Sequence, residues 1–179
     1  DDCAPVIDWL KDAQPEVAAR CMAESGAPCP DNTLADLRAR WLPRLIDLNH
    51  DPQPKARAAV GRALGRLQLN GEPLDNRKGV SVKDLRGRRE ADLGGLKLPD
   101  IDWVEIPGGP FVYQDKEKRT EPIFYIARYP VTYVQFQAFL DAADGFANRR
   151  WWEGLAADDE HKRGPGEQAF KFSNHPCER

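Results

Sequence analysis

The sequence predicts an α+β chain, with an all-helical first part and a strand-containing, loop-rich second part. Three observations carry this. Apolar residues recur at helical spacing from Ala4 to about Leu69; that period disappears among glycines and prolines between Asn70 and Pro99; and from Ile101 it changes to two. The boundaries that follow are 1–70 for the helices, 71–99 for a linker or wrapped connection, and 101–179 for the strand-containing part.

In the helical part, "PEVAARCMAESG" opens on Pro15, a good first-turn residue, and closes at Gly26. "TLADLRARWLPRLIDLN" sets Leu34, Leu37, Trp41, Leu45 and Leu48 on one stripe, with Thr33 as the expected N-cap and Pro43 as an expected kink. A further helix starts near Asp51 and Pro54 and buries Ala56, Ala59, Val60, Ala63, Leu64 and Leu67. The words "DAQP" and "DPQP" recur 39 residues apart, each before an alanine-rich helix. A two-helix unit of that period resembles HEAT repeats; the alternative is a generic small helical bundle.

In the 71–99 stretch, "GVSVKDL" offers one short strand. Beyond it, "IDWVEIPGGPFVYQ" alternates around "PGGP" and predicts a β-hairpin turning there. "EPIFYIARYPV" supplies a third strand, stopped by Pro130. Thr132 and Gln135 have capping-box spacing, in which a hydroxyl and an amide reciprocally satisfy the first orphan backbone donors of a helix. That helix places Tyr133, Phe136, Phe139, Leu140 and Ala143 on one side, read as core, and ends near Gly145.

Composition bounds the function. The chain has 179 residues, 41% hydrophobic and 31% charged, which suits one or two domains with ordinary cores, and two are expected. A net charge of -3 gives no footprint for nucleic acid, and the local basic run "DLRGRREADLGGLK" reads as solvated. No run of about eighteen apolar residues points to a membrane. The first residues lack both a methionine and a basic leader, so a processed or trimmed chain extending beyond either end is expected. Cys3, Cys21, Cys29 and Cys177 form no C-x-x-C pair, which implies reduced thiols in a cytoplasm, with Cys21 as a small buried hydrophobe.

The ordered words "WVEIPGGPFVY", "PIFYIARYPVTYVQFQAFL", "RRWWEGL" and "NHP" resemble the front of the formylglycine-generating, or sulfatase-modifying, enzyme family over about residues 101–177. The resemblance implies the N-terminal half of a C-type-lectin-like domain. It also implies copper or non-haem iron in the intact protein, with the catalytic cysteines beyond Arg179 and no cofactor for this chain. Two positions depart from the family pattern: Tyr133 stands where Asn is usual, and Gln114 where Gly is usual.

No residue here is assigned a catalytic or cofactor-binding role. His161, His175 and Cys177 match no established metal spacing, and Cys177 matches none of the family's copper positions. The acidic run at 157–161 lacks the glycine turn of an EF-hand loop. Scaffold or recognition candidates are Trp103, Thr132, Gln135, Trp151, Trp152 and His175, the tryptophans because indoles join large apolar area to one polar donor. HEAT-like helices joined to such a domain resemble architectures of bacterial signalling and defence proteins, so the expected function is a scaffold or recognition module of a larger protein of that kind in the bacterial cytoplasm. Its partner is a second protein or the C-terminal remainder of the same protein. The alternatives are the front of a metal-dependent oxidase and a protease substrate cut after Arg179.

Overall fold

The computed structural model describes residues 4–27, 29–84, 97–155 and 164–178. Four helices form first: α1 (Ala4–Ala13), α2 (Pro15–Glu24), α3 (Asp31–Ile46) and α4 (Pro54–Arg66). Pro15 and Pro54 each occupy a first-turn position, where the missing N–H costs nothing because the helix has no acceptor for it. Gly26 closes α2 with a φ of 67°, a conformation glycine adopts without steric cost.

The helices stack as two pairs, with α2 packed on both α1 and α4, and α3 on α4. Burial follows one face of each: Ile7 and Leu10, then Ala18, Ala19 and Met22, then Leu34, Leu37 and Trp41, then Val60, Ala63 and Leu64. Trp41 is fully buried and its indole N–H donates to the Lys11 carbonyl at 2.8 Å, so α3 is pinned to the end of α1. Arg62 pairs with Glu16 at 2.9 Å and joins α4 to α2.

Three sequence expectations are corrected here. Helix α3 starts at Asp31 with Pro30 as its cap, so Thr33 lies inside the first turn; Pro30 is extended, and Asp31 places an acid at the positive end of the helix. The apolar stripe of α3 ends at Trp41, for Leu45 is half-buried and Leu48 exposed, beyond the last helical residue. Cys21 is exposed, because α2 buries the face bearing Ala18, Ala19 and Met22. Helix α3 continues through Pro43 for three more residues.

The stretch after α4 is tightly folded down. Strands β1 (Gln68–Leu69) and β2 (Glu72–Pro73) form a hairpin whose two-residue turn, Asn70-Gly71, has positive φ at both positions (54° and 77°). That is the turn whose twist matches antiparallel strands. Leu74 then enters the helical core, and Val80 and Val82 are buried. Strand β3 (Val82–Asp84), the strand expected in "GVSVKDL", pairs antiparallel with β4 (Lys97–Pro99).

The next four strands correct the predicted hairpin. Strand β5 (Trp103–Ile106) pairs with β8 (Phe124–Ala127), and β6 (Gly109–Val112) pairs with β7 (Lys118–Glu121). Both ladders keep one antiparallel register, so they are two parts of a single long hairpin, interrupted where Pro107-Gly108 faces Pro122-Ile123. Prolines lack the N–H a ladder needs, which breaks the pairing without ending the strand. Gly108 sits in the break because a Cβ there would come within 2.8 Å of the Ile123 nitrogen. The true turn is at 113–117, where Asp115 and Lys116 are left-handed (φ 57° and 64°) and the Tyr113 N–H donates to the Glu117 carbonyl at 2.7 Å.

Helix α5 (Tyr133–Asp141) follows, and the Thr132–Gln135 capping box is present. The aromatic face of α5 is not the core that was expected. Gln135 is its one buried residue, while Phe136, Phe139 and Leu140 are half-buried and Ala143 is exposed. Phe136, Phe139, Phe146 and Trp152 instead pack edge to face or tilted on one another, with ring centroids 4.9–6.3 Å apart. Across the described residues, buried apolar side chains run from Ile7 to Val82 and no further. The architecture is therefore α+β, with its apolar core in the helical layer. Among the described residues, no helix is long and apolar enough to cross a membrane.

Candidate functional site

Two buried polar clasps hold the second part in place, one joining α5 to the connection at residues 79–100 and the other joining residues 173–174 to α4. In the first, the Gln135 side chain, 1% exposed, presents its amide nitrogen to the carbonyls of Gly79, Ser81 and Asp100 at 3.1–3.3 Å. Its amide oxygen accepts from the Thr132 N–H at 3.0 Å, and the Thr132 hydroxyl donates to the Val80 carbonyl at 2.8 Å. Thr132 and Gln135 are thus structural: they bond the carbonyls of Val80, Gly79 and Asp100, each of which would cost about 1–3 kcal/mol if buried without a partner, and reinforce that of Ser81, which also accepts the Asp100 N–H at 2.9 Å.

The second clasp was missed in the sequence. Asp75, 1% exposed, accepts two N–H groups of Arg77 at 2.9 and 2.8 Å and the Asn174 amide at 2.7 Å. The same Asn174 amide reaches the Gly61 carbonyl at 2.9 Å, and Ser173 gives its N–H to the Gly65 carbonyl at 2.9 Å. The segment around "SNHP" therefore lies directly on α4, where Gly61 and Gly65 present bare backbone. The signal available was Gly-x-x-x-Gly in "VGRALGR", a spacing that puts both glycines on one helix face. Backbone bonds continue the junction: Tyr133 donates to the His175 carbonyl at 2.8 Å, and Cys177 to Val131 at 2.8 Å.

The remaining predicted candidates sit apart. Trp103 is 61% exposed on the hairpin. Trp151 is about half exposed, with its indole donating to the Asp144 carbonyl, whereas Trp152 packs on Phe146 and donates to the Phe146 carbonyl at 2.8 Å. His175 donates its ring Nδ1–H to the Pro176 carbonyl at 2.9 Å and stacks near Phe170. Only Thr132 and Gln135 are brought together; His175 joins them through backbone. Arg179, Cys3, His161, the acidic run at 157–161 and residues 85–96 of the basic run lie outside the described residues.

Electrostatics at the junction are paired. Lys78 and Arg128 both bind Asp102, at 2.7 and 2.6 Å, and hold its carboxyl below the ordinary aspartate range. Burial, and then Glu178, push the Cys177 thiol up, so it stays protonated and faces the Gln168 amide oxygen at 3.5 Å. A protonated thiol is a poor nucleophile and a poor metal ligand. Among the described residues, no three His, Cys, Asp or Glu side chains converge as a metal site.

What remains open to solvent is the long hairpin. One of its faces carries Val104, Ile106, Phe124 and Ile126, paired across the strands as Val104 with Ile126 and Ile106 with Phe124. Phe124 is 46% and Ile126 52% exposed; on the opposite face Tyr125, bonded to Glu105 at 2.7 Å, is 57% exposed. A two-stranded ribbon with apolar side chains open on both faces presents one outer edge per strand and little buried area of its own. No family model, curated protein or solved structure matches the chain.

Proposed function

We propose that this chain is a non-catalytic scaffold or recognition module of a larger bacterial signalling or defence protein. A HEAT-like helical platform carries the first half of a formylglycine-generating-enzyme-like domain. The exposed hairpin is then completed by further polypeptide, from the same protein or from a second chain in the cytoplasm. The observation that carries this reading is the distribution of burial: among the described residues no apolar side chain beyond Val82 is buried, while Trp103, Phe124, Tyr125 and Ile126 stand about half exposed. Covering the remaining half of side chains of this size contributes roughly 1 kcal/mol each, which together is a substantial gain for a docking partner. The HEAT-like part of the reading is supported by the repeated Pro-initiated helices α2 and α4, which pack side by side.

Recognition rather than turnover is tested by incubating the chain with a cysteine-containing sulfatase-type peptide, copper and oxygen, and weighing the peptide by mass spectrometry. No formylglycine is expected. Conversion above that seen with copper alone overturns the reading.

A further inference from the structure

A cleft of about 540 Å³ opens between the end of α3, the outer side of α4 and residues 170–176. Its charged lining is entirely basic, from Arg57, Arg62 and Arg77, and its apolar wall includes Leu45, Phe170 and Phe172. Arg62 and Arg77 are committed to Glu16 and Asp75. Arg57 is different: among the described residues it has no carboxylate partner and gives one N–H to the Asp51 carbonyl at 2.7 Å. A guanidinium carries five N–H donors, so most of its donor fork stays open toward a carboxylate. The volume lies within the range of small-ligand and peptide-anchor pockets, and the half-exposed Phe170 offers area that a bare inorganic anion would leave unused.

We propose that this cleft binds an extended acidic peptide, seating a carboxylate on Arg57 and an adjacent apolar side chain against Phe170 and Phe172. The proposal does not rest on the hairpin, so the two docking surfaces stand or fall separately. Charge complementarity selects the occupant. A basic peptide would meet the uncompensated guanidinium of Arg57, and a purely polar one would leave the phenylalanine wall wet.

The test is fluorescence anisotropy of the full chain with a labelled Gly-Ser-Glu-Phe-Glu-Ser-Gly peptide. Saturable binding is expected, weakened about tenfold or more by Arg57→Gln, the loss of one charge-assisted bidentate contact. Ala58→Trp, which fills the cleft from its exposed rim without altering charge, abolishes binding; Arg149→Gln, away from the cleft, leaves it unchanged. Peptides with Lys for Glu, or Ser for Phe, bind at least about tenfold more weakly. Thermal unfolding confirms that each variant folds, and if Arg57→Gln does not, Ala58→Trp decides. Absence of saturation, equal binding of the lysine peptide, displacement by inorganic phosphate as effective as by unlabelled peptide, or indifference to Ala58→Trp overturns the proposal.

Discussion

Replacing Gly65 by alanine should destabilise the protein, although the same change in an isolated helix stabilises it. A Cβ built at Gly65 would stand 2.1 Å from the Asn174 side-chain oxygen and 2.8 Å from its Cγ, so Asn174 must leave. Leaving breaks its bond to the Gly61 carbonyl, worth about 1 kcal/mol, and its bond to the buried Asp75 carboxylate, worth about 1.5–3 kcal/mol. Helix propensity returns roughly 1 kcal/mol, which leaves a net loss of about 1.5–3 kcal/mol. Gly61 is the internal control: a Cβ there meets only Leu45, at an ordinary 3.8 Å, so Gly61→Ala should stabilise by up to about 1 kcal/mol. In an Asn174→Ala background the main clash partner is gone, the tight contact with Phe172 Cβ at 3.1 Å offsets the propensity gain, and Gly65→Ala should become near neutral, a coupling of about 1.5–3 kcal/mol. Urea unfolding, extrapolated linearly to water, reads all four variants. If Gly65→Ala and Gly61→Ala shift stability in the same direction, the docking of residues 172–175 on α4 is wrong.

Three other outcomes follow from the same contacts. Gln135→Leu should lower stability by about 2 kcal/mol or more, since it strips the side-chain donor from the carbonyls of Gly79 and Asp100 while Ser81 keeps the Asp100 N–H, and Gln135→Glu should be worse because it aims oxygen at oxygen; thermal unfolding ranks them, and a benign Gln135→Glu refutes the geometry. The Asp12, Glu16 and Asp102 carboxyls are held below their usual range chiefly by hydrogen bonds from Arg40, Arg62 and Lys78 respectively. With folded values below unfolded ones, the unfolded chain binds more protons, so this stability is present above about pH 4.5 and is lost as pH falls through the folded values; the urea midpoint should drop between about pH 5 and 3, and a flat profile contradicts it. Iodoacetamide at mildly alkaline pH should label exposed Cys21 faster than Cys177, whose thiol burial keeps protonated; equal rates by peptide mapping contradict that assignment.

Local chemistry was the part of this fold legible in the sequence. Pro15, Pro54, Gly26 and the Thr132–Gln135 box each act within one turn, and each is found where its spacing places it. The Asn70-Gly71 turn was equally local, and its two-residue spacing was a usable signal that went unread. Pairing was not legible. "PGGP" carries turn residues, yet the strand runs through it because the opposing strand breaks at the same level with its own proline, Pro122. The aromatic stripe of α5 fits the helical period, but period says only which residues share a face, not what covers them. The Asp75–Asn174 clasp joins residues 99 apart, beyond the reach of any spacing rule. Thr132 and Gln135 were singled out for their cap, whereas their larger role is to hold carbonyls more than thirty residues away.

The central claim is that the hairpin of residues 103–127 is a surface meant to be covered, and native mass spectrometry with sedimentation velocity tests it most directly. The purified chain should associate across the micromolar range, or remain bound to a second polypeptide. Replacing Phe124 and Ile126 by threonine keeps strand propensity while removing the more exposed half of that apolar face, and should shift the population to monomer. A wild-type chain that stays a single soluble monomer of 20.2 kDa, with no partner and no dependence on concentration, would contradict the account.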